Sequence, residues 1–311
     1  MVSDAAFVSL RELVGLRREA RELTLLPRLP IHSQLPGAHA SRLRGRGLDF
    51  RELRPYVPGD DIRNIDWKVT ARTRRPHTRV YDEERNRPAL LLVDQRVNMF
   101  FGSQLHMKSV TAAHAAALTL WQVLAQGDQP GAIIFNDEDQ IELRPARSES
   151  GSMAILHAIE KMNRSLRADD GRASRPTQLN RILGHAGRLA KHDHLIVLIS
   201  DLDGFNVASR PLLNQLTQHN DVLVMLVSDP LERRLPEADR LVVSDGDLQL
   251  EFDAADPALR SSFAETFQMA IDAGQKELTK RKVPMVSLGT EAPAAGQLSA
   301  LFGRRAHSRR P

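Results

Sequence analysis

Apolar side chains in the first 26 residues recur at helical spacing. Phe7, Leu10, Leu13, Val14 and Leu16 favour one side while Arg17, Arg18, Arg21 and Glu22 decorate the other, which predicts an amphipathic helix ended by Pro27 and Pro30. Residues 29–41, rich in Pro, Gly, His and Ser, read as an exposed connector. They lead into the densest charge cluster of the chain, residues 42–87. Within it Pro58-Gly59 fits the centre of a type II turn, where proline fixes the first dihedral and glycine accepts the positive one. Asp60 or Asp61 is then placed to cap a short helical turn through Trp67.

From Pro88 the pattern becomes strand, helix, strand, the mark of helices covering a mainly parallel sheet. The continuous apolar runs 89–93 and 195–199 fit strands buried on both faces. Between them the spacing predicts a helix over 107–125 stopped by Gly127, strands over 132–135 and 140–143 joined by the acidic turn 136–139, and helices over 152–162 and 178–190. A polar, arginine-rich loop over 164–176 precedes the second of these helices. A helix over 207–218, a strand over 222–227, and a hairpin of 241–243 with 248–252 around Asp245-Gly246 follow. The last long helix has Asp256 as its cap, Pro257 at its first position, and Leu259, Phe263, Phe267, Ile271 and Leu278 as its buried stripe. A closing strand over 285–288 leaves 292–311 as a loose Gly/Ala/Arg tail.

Composition adds limits. The 311 residues are 41% hydrophobic and 26% charged, which fits a globular chain of one large or two modest domains. The organisation read from pattern is an N-terminal helix and connector over 1–40, a basic subdomain over 41–87, an α/β domain over 88–290 and a basic tail over 291–311. With no cysteine, thiolate nucleophiles, Cys-ligated zinc, iron–sulfur clusters and disulfides are excluded. No run of 18 apolar residues exists, so no transmembrane segment is expected, and residues 1–10 carry Asp4 and no basic start of a secretory signal. A cytoplasmic location is the expectation.

The net charge of +4 hides a division along the chain. Residues 41–87 hold 13 basic and 8 acidic residues, residues 304–310 hold four arginines, and residues 88–303 hold 21 basic and 27 acidic. Such asymmetry points to an acidic partner or to internal docking. Nucleic acid is disfavoured as that partner, because acids are interleaved with the arginines and few aromatics accompany them.

Two strands end on carboxylates, Asp94 and Asp201, and ligands of open α/β sheets bind at such strand ends. If strand order brings the two together, a hard cation is the natural occupant, helped by Asp203, Asn98 and Thr177. The plainer alternative is that each aspartate caps the element that follows. Asp49, Asp60, Asp61 and Asp66 form a second acidic group, which could serve metal-assisted phosphoryl chemistry. Their pairing with Arg54, Arg63 and Arg72 in a polar network, with Trp67 as its apolar anchor, is the more economical reading. No Walker-type phosphate loop is present. His106, His114, His192 and His194 lack zinc-enzyme spacing, and Ser200 sits outside any nucleophile elbow.

One long, ordered signature stands out: Arg46, Gly47, Asp49 and Phe50, then Arg54, Tyr56, Pro58, Gly59, Asp60, Asp61 and Arg63, then Asp66, Trp67 and Arg72, and last Glu84 and Arg85. It resembles the domain of unknown function 58 family over residues 45–301, most strongly over 45–93. The resemblance implies a von Willebrand factor A-like, Rossmann-like fold, with a mainly parallel sheet carrying helices on both faces and a small N-terminal basic subdomain. It also implies association with a MoxR-type AAA+ ATPase or its client protein. Domains of this type often hold a divalent ion at a metal-ion-dependent adhesion site. Its Asp-x-Ser-x-Ser motif falls on Asp94 to Asn98, its threonine on Thr177 and its later aspartate on Asp201. Arg96 and Asn98 stand where hydroxyls would bind the ion, and a guanidinium has no lone pair to give a metal. Arg96 is therefore expected to replace the cation by pairing with Asp94, Asp201 or Asp203, so that no metal or other cofactor is needed. The expected function is a non-catalytic adaptor with a degenerate metal site. The alternative is a Mg- or Mn-dependent phosphoester enzyme on the same face, with the ion weakly held by Asp94, Asn98, Thr177 and Asp201.

Overall fold

The protein is described from a computed structural model, over residues 5–23, 48–57, 60–83, 87–167, 174–233, 241–244, 249–252 and 257–303. It divides into two compact units, one of Met1–Gln34 with Arg87–Pro311 and one of Leu35–Asn86.

The larger unit is built on a six-stranded sheet. Strands β3 (Pro88–Asp94), β4 (Gln129–Phe135), β6 (Leu195–Ser200), β7 (Asp221–Ser228) and β10 (Met285–Gly289) run parallel, and β5 (Gln140–Leu143) pairs antiparallel with β4 at one edge. The order is β10-β7-β6-β3-β4-β5, so the chain starts in the middle of the sheet, builds one side, and returns to build the other. Successive residues of the apolar runs face opposite layers. Ala89, Leu91 and Val93 with Leu195, Val197 and Ile199 pack under one set of helices, and Leu90, Leu92, Ile196 and Leu198 under the other.

The second layer contains α6 (Thr177–Leu189) and α7 (Ser209–His219), together with the end of α9 (Pro257–Lys280) at Leu278. The stripe expected on α9 is met at Leu278, whereas Phe267 and Ile271 are only partly covered. The cap at Asp256 lies outside the described residues, as does the loop 245–248 between β8 (Leu241–Ser244) and β9 (Gln249–Phe252), which pair antiparallel as expected.

The first layer centres on α4 (Lys108–Ala125), which is buried from Lys108 to Val123 rather than along one stripe. A helix buried all round needs cover on every side. It is packed by α5 (Glu149–Arg164), by α10 (Ala294–Phe302), and by the N-terminal segment, where α1 (Leu10–Gly15) and α2 (Arg17–Ala20) replace the single expected helix. Ser9 caps α1 by accepting from the Glu12 amide at 3.3 Å. Side chains of α4 bond carbonyls along this whole segment. Trp121 Nε1 donates to the Leu13 carbonyl at 3.0 Å, and Gln122 Nε2 donates to the carbonyls of Ala20 and Leu23.

The stretch expected to be a loose tail is also part of this layer as far as Phe302. Ala294, Leu298 and Phe302, spaced by four, form a buried face of α10, and Gln297 fixes its start by bonding both Gly289 and Ala292.

The smaller unit differs from its expected turn-rich form. Strands β1 (Leu48–Pro55) and β2 (His77–Glu83) pair antiparallel, with a shift in register between Phe50 and Glu52. Charged residues break the apolar alternation that would have revealed these strands. Between them, Asp61 caps only a 3₁₀ turn, Ile62–Asn64, while Asp66 caps α3 (Trp67–Thr73) by accepting from the Lys68 and Val69 amides at 3.0 and 3.1 Å. The Pro58-Gly59 turn, Arg46, Gly47, Glu84 and Arg85 lie outside the described residues.

Because Leu298 is fully buried, Leu298→Ala is expected to lower stability by about 2–5 kcal/mol, read by urea unfolding. An unchanged midpoint would mean that α10 does not pack.

Candidate functional site

Strands β3 and β6 are neighbours in register, Val93 opposite Ile199, and they flank the point where the chain switches from one side of the sheet to the other. Crevices at such switch points are the usual ligand sites of α/β sheets. Asp94 and the 201–204 loop therefore meet at the carboxyl end of the sheet.

Arg96 lies between them with no exposed surface. Its Nε donates to both oxygens of Asp94 at 3.0 and 3.2 Å, and its Nη2 donates to Asp94 Oδ2 at 2.7 Å and to the Asp203 carbonyl at 3.0 Å. Nη2 also stands 3.5 Å from Asp201 Oδ1, and Nη1 stands 3.8 Å from Asp203 Oδ2. Asp94 further accepts from the Arg96 amide at 3.1 Å and from the Ser200 hydroxyl at 2.6 Å. The Ser200 hydroxyl is thus held between two partners, donating to Asp94 and accepting from the Leu202 amide at 3.0 Å.

A second internal cation was not foreseen. Lys108, at the start of α4 and 3% exposed, donates to Asp201 Oδ2 at 2.9 Å and to Glu232 Oε1, on the short α8 (Pro230–Arg233), at 2.5 Å. A lysine in the first helical turn opposes the helix dipole, and that conflict was the available sign that acids wait for it. Burial alone would lower the Arg96 and Lys108 pKa values, but Asp94 for Arg96, and Asp201 with Glu232 for Lys108, raise both above their ordinary values. The Asp201 carboxyl would be raised by burial, yet Lys108 and Arg96 hold it below its ordinary range.

Asp203 behaves in the opposite way. Burial first and the Asp201 charge next push its carboxyl up, although Asn98 Nδ2 donates to it at 2.6 Å. The loop that carries it is tightly specified. Leu202 takes the left-handed conformation at φ 62°, and Gly204 has φ 84° with the Pro176 carbonyl so close that a Cβ would sit 1.9 Å from it. Asp94, Arg96, Asn98, Asp201 and Asp203 are thus brought together. Thr177, exposed at the start of α6, makes no side-chain hydrogen bond among the described residues.

A divalent ion needs several oxygen donors facing an open position. In this crevice the Asp94 and Asp201 oxygens are already taken by a guanidinium and an ammonium, so the residues present do not fit a metal of the adhesion-site kind. Among the described residues no other His, Asp and Glu side chains gather in a metal-holding group. His114 pairs with Glu12 at 2.8 Å, with the His106 ring edge-on at 5.1 Å. His192 and His194 are held by Asp193 and by the His192 carbonyl.

In the smaller unit Asp60 pairs with Arg54 at 2.7 Å and Asp61 with Arg63 at 3.0 Å, as expected, but Asp66 pairs with Arg79 at 2.8 Å and Arg72 pairs with no acid among the described residues. The Asp60 and Asp61 carboxyls are lowered by Arg54 and Arg63, and that of Asp66 by the Val69 amide and Arg79. Trp67 is exposed, which corrects its expected role as a packed anchor. The side chains of Asp49 and Phe50 lie outside the described residues.

Fold and crevice define a mixed α/β protein with a mostly parallel central sheet and helices around it, its strand-end acids neutralised from within. The chain belongs to the family described as Protein of unknown function DUF58, matched over residues 52–271. It is similar to Uncharacterized protein Rv1480 of Mycobacterium tuberculosis and Uncharacterized protein Mb1516 of Mycobacterium bovis, in each case 29% identical over 273 residues, covering 87% of this chain and 84% of the relative. A solved structure, conserved hypothetical protein BatB from Bacteroides thetaiotaomicron, aligns at 13% identity with a TM-score of 0.42, covering 69% of this chain and 94% of that one. No described helix is long and apolar enough to cross a membrane.

Removing one partner of a buried ion pair leaves the other uncompensated. Arg96→Met is therefore expected to cost about 3–5 kcal/mol in urea unfolding, and Asp94→Asn in the same chain to recover part of that loss. Ionisation of Asp203 opposes folding once pH rises above its ordinary 3.8, whereas the stability from Asp201 is lost as pH falls below that value. Asp203→Asn is expected to be at least as stable as the native protein at pH 7, with the difference vanishing below pH 3.8, as read from unfolding midpoints across pH.

Proposed function

We propose that the protein is a non-catalytic interaction protein that works through its strand-end face, on a von Willebrand factor A-like frame whose metal site has become an internal ion-pair cluster. The observation that carries this reading is the occupation of the crevice by Arg96 and Lys108, which consumes the carboxylates a metal or an acid–base reaction would use. Around it the face is built for contact. Leu105 and Val207 are exposed on the loops that leave β3 and β6, and Asp203 stays partly open between them in the chain order of those loops. Exposed apolar side chains on loops that also carry a polar group supply the materials of a protein-binding patch, an apolar core and a polar rim. The family resemblance makes a MoxR-type AAA+ ATPase, or the client of that ATPase, the partner, and a cytoplasmic setting goes with it.

Size-exclusion co-elution of the full chain with a MoxR-type ATPase tests the pairing. Complex formation that Val207→Glu and Leu105→Glu both weaken is the expected result, and no complex with either the ATPase or its client sinks the partner assignment. Calorimetric titration with Mg²⁺ or Mn²⁺ is expected to give no heat of specific binding. Metal-dependent phosphoesterase turnover lost in Asp201→Ala would replace the adaptor reading with an enzymatic one.

A further inference from the structure

The smaller unit carries a surface of its own. Trp67 is 69% exposed, Ile62 65% and Val57 54%. Ile62 and Trp67 lie on the stretch 60–67, where the Asn64 amide bonds the Asp61 carbonyl and the Ile65 amide that of Ile62, and the Asp60 amide bonds the carbonyl of Val57. Single exposed apolar side chains are ordinary, but three large ones in so short a stretch mark a contact surface.

The charge around them is uneven. The acids of this stretch are consumed locally, Asp60 by Arg54, Asp61 by Arg63 and Asp66 by Arg79. Lys68, Arg72, Arg74 and Arg75 are exposed, and none has an ion-pair partner among the described residues. Lys68 and Arg72 are one helical turn apart on α3, beside Trp67, and Arg74 and Arg75 follow where α3 ends in a left-handed residue at Arg74. Exposed tryptophan with flanking arginine is the composition of binding hot spots.

We infer that this surface docks an acidic segment of another protein, one that sets an apolar side chain against Trp67 while its carboxylates face Lys68, Arg72, Arg74 and Arg75. Four cations without an ion-pair partner among the described residues call for an anionic partner, and the apolar trio calls for one with apolar side chains. A nucleic-acid strand fits less well, because Val57 and Ile62 offer no ring for a base to stack on.

The test uses the full chain and a fluorescent peptide of glutamates with single leucines between them, followed by anisotropy, with a lysine-for-glutamate version as control. The expected result is binding of the acidic peptide alone, weakened at least about tenfold by Trp67→Ala and by Arg72→Glu with Arg74→Glu, at unchanged thermal midpoint. Since Trp121 is buried and the chain has two tryptophans, quenching of the native protein reports on Trp67 independently of any variant. Iodide is expected to quench it more than caesium does. No binding of the acidic peptide, undiminished binding by Trp67→Ala, stronger quenching by caesium, or tighter binding of a single-stranded oligonucleotide or of phosphatidylglycerol vesicles would each overturn the inference.

Discussion

A guanidinium with no exposed surface, held on a carboxylate at the end of the central strand, sets the terms for everything around it. Arg96 and Asp94 are two residues apart, so the pair closes within a single turn of chain, and the Arg96 amide binds the same carboxylate. Desolvating two charges is costly, and the pair persists only where further donors and acceptors complete it. Ser200, the Asp203 carbonyl and the Asp201 carboxylate supply them, and all belong to the segment leaving the adjacent strand. The left-handed Leu202 and the crowded Gly204 follow from this demand, since the loop must turn back sharply to present both a carbonyl and two carboxylates to one side chain.

The same economy of buried charge and polarity runs through the first helical layer. Gln95, between the two members of the ion pair, donates to the Ser109 carbonyl on α4 and accepts from Asn163 on α5, and Asn163 accepts in turn from the Val8 amide. The N-terminal segment is thereby linked through buried hydrogen bonds to the strand end that carries Asp94. A helix as apolar as α4 could have been covered by almost any greasy surface. The polar residues on it, His114, Trp121 and Gln122, fix how the N-terminal segment covers it, because each finds its acceptors there and would otherwise be buried unsatisfied.

The parallel sheet was legible because its strands are unbroken apolar runs, and a run buried on both faces has no other economical place. The site was legible only in part. Asp94 and Asp201 announce themselves as strand-end acids, and Arg96 as a charge where an oxygen donor belongs, but Lys108 hides in the first turn of a helix whose other residues say only that it is buried. The pairing of β1 with β2 depends on contacts between residues about 30 apart in sequence, and the charges along both strands mask the period of two. Local spacing indicated that Asp61 and Arg63 meet. It could not indicate that Asp66 prefers Arg79 on a strand over Arg72 on its own helix, because Asp66 spends one oxygen on the Lys68 and Val69 amides and gives the other to a residue that only the strand pairing brings near.

Net charge is a poor guide to what such a protein presents, as its two units show from opposite directions. Residues 88–303 of the larger unit are acidic in sequence, yet the carboxylates at its strand ends are spent on Arg96 and Lys108, so its most charged locus offers a partner little beyond the half-open Asp203. The smaller unit interleaves acids with its arginines and looks diluted. Yet Asp60, Asp61 and Asp66 choose Arg54, Arg63 and Arg79, and four cations with no ion-pair partner among the described residues lie on and just beyond the helix that exposes Trp67. Pairing is decided by geometry over a few ångströms, whereas a charge count averages over the whole segment, and only the unpaired remainder reaches solvent as a field. Recognition by this chain is therefore governed less by how many charges each unit carries than by which of them its own fold has already satisfied.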